Sequence, residues 1–297
     1  MNRISIVLPA FHSDATLGPC LAALAAQERP PEEVIVVNSS PETATAAVVA
    51  GFPGVRLIQS PVRLLPHAAR NRGLAEASGD LLVCSDPDVV ADRHWLRRLE
   101  GAAVAGHPLV GGGMALHPPP AERRLTATAI HLAKFWWILP AGPARPVWIT
   151  PTANCAFTRA LWARVGPFPE DVFCGDALFS WRAARAGAPP WLVPDAIVAH
   201  DHDETAAAMR SQRYRRGQEF ARVRAHWEGW STPRRWAQVL ASPGRLARVL
   251  RQAKAAATAA GWAGEFQRTW HLHAGMQAAW VAGEARGWLR RAGPGSK

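Results

Sequence analysis

Over the first two-thirds of the chain, short apolar runs bounded by polar turns alternate with stretches whose apolar residues recur at helical spacing. Residues 4–9 read as a buried strand. After them Leu17, Cys20, Leu21 and Leu24 fall at i, i+3, i+4 and i+7, which predicts a helix. Residues 33–37 form a second apolar run, ended by Asn38-Ser39-Ser40-Pro41. A helix over Ala44–Ala50, a strand over Val55–Gln59 and an alanine- and arginine-rich helix over 66–77 follow. Ser78-Gly79-Asp80 stops that helix and leads into the apolar run Leu81–Ser85. Strands that alternate with helices predict an α/β fold: a mostly parallel, Rossmann-like sheet flanked by helices, with right-handed crossovers.

The second half is less regular. Leu109–Leu116 reads as a strand interrupted by Gly111-Gly112-Gly113, and 122–139 as a helix ending in Phe135-Trp136-Trp137-Ile138-Leu139. Residues 154–165 pass from strand to helix, 177–186 form another helix, and Ile197-Val198-Ala199 is a short strand that ends at His200. From about 205 the pattern is helical and basic. The expected division is therefore an α/β domain over 1–204 and a helical extension over 205–297.

Charge supports that division. Residues 1–204 hold 17 Lys+Arg against 19 Asp+Glu, whereas 205–297 hold 17 against 4, so the net charge of +11 belongs to the extension. Half of the 14 tryptophans lie there too. Arg210, Arg213, Arg215, Arg216, Arg222 and Arg224 precede Trp227, Trp230 and Trp236. Leu246, Val249, Leu250 and Ala253 then make an apolar stripe beside Arg245, Arg248, Arg251 and Lys254. This pattern fits a helix lying at an anionic membrane surface, or a helical layer packed on the first domain with a solvated basic face. Tryptophans on amphipathic helices argue against a nucleic-acid partner.

With 48% apolar residues, a full core is within reach. The cysteines Cys20, Cys84, Cys155 and Cys174 show no C-x-x-C spacing and read as reduced. Met1-Asn2-Arg3 runs straight into a strand-like segment, and no run approaches the length of a spanning helix. The expected location is cytoplasmic and peripheral on the inner face of the cell membrane.

The chemistry gathers at Asp86-Pro87-Asp88, directly after the run Leu81-Leu82-Val83-Cys84. Two carboxylates one residue apart at a buried strand end are costly unless a cation sits there. In open α/β sheets that cation accompanies a phosphorylated ligand, because ligands collect where parallel strands end.

With its neighbours, this motif resembles family 2 glycosyltransferases of the GT-A fold over roughly residues 4–202. Ser5-Ile6-Val7-Leu8-Pro9-Ala10-Phe11 is similar to the family's opening strand, Glu33 to Ser40 to its second strand and base-recognising turn, and Ala69-Arg70-Asn71-Arg72-Gly73 to its A-R-N-x-G helix. Asp86-Pro87-Asp88 falls where its metal motif belongs, and Cys174-Gly175-Asp176 with Trp181-Arg182 resembles its acidic E-D…R segment. The resemblance implies an inverting, metal-dependent transfer of a sugar from a nucleotide-diphosphate donor to an acceptor hydroxyl, on a lipid-linked or cell-envelope glycan. It implies Mn²⁺ or Mg²⁺ held by Asp86 and Asp88. His200 is either a third ligand, which would favour Mn²⁺, or a solvent-facing histidine. It makes Asp176 the general base; the same residue also suits a helix cap, and the two roles are compatible. Pro9, Ala10, Asn38, Arg70, Asp86 and Asn154 would meet the donor. Asn38 is equally natural as a turn residue and Asn154 as a satisfied buried amide. Asn71 is expected to hold a loop.

Two positions depart from the family pattern: Gly175 where Glu is usual, and Asn38 where Asp is usual. They leave room for a catalytically degenerate membrane scaffold. A nucleotidyltransferase on a similar fold would favour a glycine- and lysine-rich loop after the first strand, which Pro9-Ala10-Phe11-His12-Ser13 lacks.

Overall fold

In a computed structural model, which describes residues 3–290, strands and helices alternate through the first third: β1 (Ile4–Ala10), α1 (Asp14–Ala25), β2 (Glu33–Asn38), α2 (Ala44–Ala50), β3 (Val55–Gln59), α3 (Pro66–Glu76) and β4 (Leu81–Ser85). Met1 and Asn2, part of the segment read for a leader, lie outside the described residues. Then come β5 (Val89–Ala91), α4 (Trp95–Val104), β6 (Leu109–Leu116), α5 (Arg124–Phe135), β7 (Arg145–Pro146), β8 (Asn154–Thr158), α6 (Arg159–Val165), α7 (Gly175–Arg185) and β9 (Trp191–His200). The remainder is α8 (Ala206–Trp227), α9 (Thr232–Leu240), α10 (Ser242–Ala259) and α11 (Ala263–Leu289).

The chain divides into two compact units. One runs through His117 and resumes over Pro140–Asp171 and Gly175–Asp201; the other comprises Pro118–Leu139, Val172–Cys174 and the residues from His202 on.

The first unit is built on a sheet ordered β3-β2-β1-β4-β8-β6-β9-β5, with β7 paired to β9. β3, β2, β1 and β4 are mutually parallel, and β8 enters antiparallel to both β4 and β6. Because side chains alternate across a strand, Val7, Ile35, Val37, Leu82, Cys84, Cys155 and Phe157 share one apolar cluster. Ala69 and Leu74 of α3, Leu161 of α6 and Phe179 of α7 complete it. α3 sits very close to the sheet: a Cβ on Gly73 would stand 2.5 Å from a methyl of Val7 and 3.0 Å from one of Val37. Glycine there lets α3 lie against β1 and carries Arg70, one turn earlier, toward the strand ends.

The glycines 111–113 do not break β6, which is continuous over Leu109–Leu116 with a register shift between Gly112 and Gly113. The missing side chain of Gly112 makes room for Asn154, whose amide atoms would lie 2.4 and 2.5 Å from a Cβ there.

In the second unit α5 packs against α8 and α11 through Ala129, Ile130, Ala133, Met209 and Met276. α8 and α11 approach backbone to backbone: a Cβ on Gly283 would lie 2.2 Å from the Tyr214 carbonyl oxygen, and one on Gly287 2.3 Å from that of Gln218. Toward the C-terminal end of α10, Ala253 and Ala257 are fully buried against Leu132, Leu139 and Phe266, whereas Leu246, Val249 and Leu250 of the stripe are half-buried. Phe135, Ile138 and Leu139 at the end of α5 are likewise core residues, and Trp136 and Trp137 between them are half-buried.

Candidate active site

Asp86-Pro87-Asp88 forms the turn between β4 and β5, and β5 then pairs antiparallel with β9 in the register Val89↔His200. The Asp201 N–H donates to the Asp88 carbonyl at 3.0 Å, and the His117 N–H to the His200 carbonyl at 3.0 Å. Backbone pairing alone therefore brings His200 beside the acidic turn. Its Nε2 lies 3.7 Å from Oδ2 of Asp88. Asp86, Asp88 and His200 each offer one ligand atom, all within 4.8 Å of one another, so this group can hold a metal ion.

Two further observations fit a cation. The His200 ring is buried, and its Nδ1 contacts the carbonyl of Asp201. A carbonyl only accepts, so Nδ1 donates to it and Nε2 is the nitrogen turned toward Asp88, as in a metal-ligating histidine oriented by its other nitrogen. Below the turn, the Cys20 thiol of α1 donates to the Asp86 carbonyl at 3.5 Å. Burial, reinforced by the negative charges of Asp88 and Asp86, pushes its pKa up to about 12. The two carboxylates thus concentrate negative potential at the site, and the thiol stays neutral.

Arg70 was expected to meet the donor directly. Its guanidinium is buried instead, with Nη2 paired to Oδ1 of Asp86, so it orients that carboxylate. Asn71, next to it, holds a loop as expected: its Nδ2 donates to the Phe168 carbonyl and to Glu170, both at 2.8 Å, and its Oδ1 accepts from the Phe168 N–H at 3.0 Å. That loop leads to α7, where half-buried Asp176 sits in the first turn and accepts from the Ala177 N–H at 2.8 Å. The hydrogen bond with Cys84, burial and the Cys84 charge raise the pKa of Cys155, and Arg70 (lowering) and Asp176 (raising) add opposing charge effects.

The remaining expected donor residues are less available. Pro9 and Ala10 are buried at the end of β1, where the Ala10 carbonyl accepts from the Ser39 N–H at 3.0 Å. Asn38 is fully buried; its Oδ1 accepts from the Ser40 N–H at 3.1 Å and its Nδ2 donates to Gln59 at 2.9 Å, which makes it a turn-holding residue. Asn154 is fully buried as well. It donates to the Gly113 and Ala196 carbonyls at 3.0 and 2.9 Å and accepts from the Trp95 indole at 2.8 Å. With both amide protons spent, it ties β8 to β6, β9 and α4 and has no donor left for a ligand.

Sequence reasoning missed His67. It is buried one turn before Arg70 on α3, stacked on Phe168 with ring centroids 5.4 Å apart, and it fills the space beside Gly175. The i, i+3 spacing from Arg70 and the unusual Gly175 were the signals that pointed to it.

Against this geometry, a family model described as Glycosyl transferase family 2 matches residues 5–164. Glycosyltransferase AglE of Haloferax volcanii is 26% identical over 209 residues, 66% of either chain. The pre-mycofactocin glycosyltransferase of Mycobacterium tuberculosis is 31% identical over 156 residues, 50% of this chain. The chain spans 66% of the first of these relatives and 32% of the second. Among solved structures, the mannosyltransferase PcManGT from Pyrobaculum calidifontis, in complex with GDP-Man and Mn²⁺, aligns with a TM-score of 0.59 at 22% identity, covering 96% of this chain and 87% of that one. Residues 1–349 of S. aureus TarS, in complex with UDP-GlcNAc, align with a TM-score of 0.52 at 16% identity, covering 95% and 90%. Both likenesses show the GT-A fold.

Proposed function

This chain belongs to glycosyl transferase family 2, and from that premise we propose that it moves a sugar from a nucleoside-diphosphate donor to an acceptor hydroxyl with inversion at the anomeric carbon. The carrying observation is the Asp86, Asp88 and His200 group, placed where the parallel strands end and backed by Arg70. A divalent cation bound there supplies charge neutralisation for the departing diphosphate. An imidazole ligand favours Mn²⁺ over Mg²⁺.

The protein residues carry the rest. Arg70 holds Asp86 in a fixed orientation. Asp176, steadied by the Ala177 N–H, takes the proton of the acceptor hydroxyl as its oxygen attacks the anomeric carbon. One C–O bond forms as the bond to the diphosphate breaks on the opposite face, and the proton ends on the Asp176 carboxylate. The acceptor is a glycan or lipid-linked hydroxyl, and the basic second unit meets an anionic membrane surface. The donor base is uracil, thymine or guanine.

A panel of nucleotide sugars tested with Mn²⁺ checks this reading. Asp176→Asn is expected to retain donor binding and to lose about a hundredfold or more in transfer rate. Normal transfer by that variant would remove Asp176 from the role of base.

A further inference from the structure

With Ala253 and Ala257 of α10 buried and Leu246, Val249 and Leu250 half-buried, a more exposed apolar ridge of the second unit lies elsewhere. In α9, Pro233, Trp236, Ala237 and Leu240 recur at i, i+3, i+4 and i+7, and all four are exposed. Trp236 keeps 52% of its surface and Leu240 79%. The opposite edge of the helix is the one that packs: Val239 joins the cluster of Ala221, Ala225, Trp230 and Trp288, and Arg235 donates to the Trp230 carbonyl at 3.2 Å. The helix is therefore docked on its inner side and carries an unpartnered tryptophan–leucine ridge outward.

Its chemical setting identifies the partner. Arg234 is exposed on the same helix, and Arg248, Arg251 and Lys254 are exposed on α10, the next element. Residues 205–297 hold 17 Lys+Arg against 4 Asp+Glu. No helix among the described residues is long and apolar enough to cross a membrane. A short amphipathic helix with an aromatic anchor, set in a cationic field, lies in the headgroup boundary of an anionic bilayer, where indole and leucine enter the acyl edge and the cations meet the headgroups.

We propose that α9 is the lipid-inserting element, with Trp236 and Leu240 entering an anionic bilayer. This deepens the membrane contact of the proposed function and rests on it.

The test is co-sedimentation of the full chain with phosphatidylcholine vesicles, with and without phosphatidylglycerol. The wild-type chain is expected to pellet with the anionic vesicles and to be released at high salt. Trp236→Ser with Leu240→Ser should weaken binding at least about tenfold, because the apolar part of an interfacial helix sets its residence. Trp270→Ser, which removes an exposed tryptophan of α11, should leave binding unchanged. Both α9 side chains are solvent-exposed, so an unaltered thermal midpoint verifies the fold. Failure of the wild-type chain to bind anionic vesicles would overturn the membrane reading itself. Equal binding by wild type and double variant would overturn only the assignment to α9. So would a wild-type dimer that the double variant converts to monomer without a change in vesicle binding, since the ridge would then join two copies of the chain.

Discussion

A Cβ placed on Gly175 would stand 2.7 Å from Cδ2 and 2.9 Å from Nε2 of His67. Position 175 is therefore glycine because the imidazole of α3 already occupies its space. The departure from the family's acidic pair and the histidine three residues before Arg70 are one feature seen from two helices.

Gly175→Ala is accordingly expected to destabilise the chain by roughly 1–3 kcal/mol through overpacking. In a His67→Ala background the same substitution should cost less, though not nothing, because the Pro169 carbonyl oxygen would also lie 2.9 Å from the new Cβ. Urea denaturation of the four proteins of this double-mutant cycle measures the coupling. Additive costs would dissociate the two positions.

Asn154→Ala should act on stability. It leaves the Gly113 and Ala196 carbonyls and the Trp95 indole without their partner, at roughly 1–3 kcal/mol for each buried group left unsatisfied. The expected outcome is a lower thermal midpoint with an unchanged KM for the donor in whatever fraction folds. A selective rise in that KM at unchanged stability would place the amide in the donor pocket after all.

His273 gives the second unit a defined acid sensitivity. The ring is fully buried on α11, and neither nitrogen has a hydrogen-bond partner among the described residues. Burial, with the Arg213 charge adding to it, lowers its pKa to about 4. The folded value lies below the unfolded one of about 6.5, so the neutral ring's contribution is whole above pH 6.5 and is lost as pH falls toward 4. The loss is on the order of 3 kcal/mol. His273→Leu sacrifices no hydrogen bond and should lessen the fall of the thermal midpoint between pH 7 and 5 relative to wild type; buried His202, whose pKa burial also lowers, sustains the remainder. Parallel pH profiles would refute this origin.

What was legible in the sequence, and what was not, follows from the range of the interactions involved. β1 to β4 and the helices between them have periodicities long enough to read one element at a time, and Asp86, Asp88 and Asp176 mark element ends that such a reading locates. β5 went unseen because Val89-Val90-Ala91 is too short to show a period, yet its pairing with β9 is what seats His200 beside Asp88. From sequence alone Asn38 fits a ligand contact or a turn, and Asn154 a ligand contact or a satisfied buried amide. The structure spends their polar groups on Gln59, Trp95 and backbone carbonyls, partners distant in sequence. The α10 stripe had the periodicity of an interfacial helix, but a period does not say what covers the face. The core of the second unit covers Ala253 and leaves Leu246, Val249 and Leu250 half-buried, and a more exposed ridge lies on the shorter α9.

The central claim, a cation held by Asp86, Asp88 and His200 that joins the protein to a nucleoside diphosphate, is met most directly by calorimetric titration of GDP, UDP and dTDP with and without Mn²⁺, on the wild-type chain and on Asp88→Ala. The account predicts at least about tenfold tighter binding of one nucleotide when Mn²⁺ is present, and loss of that gain in the variant. Equal affinity with and without the ion for all three nucleotides, or an undiminished Mn²⁺ effect in Asp88→Ala, would contradict it.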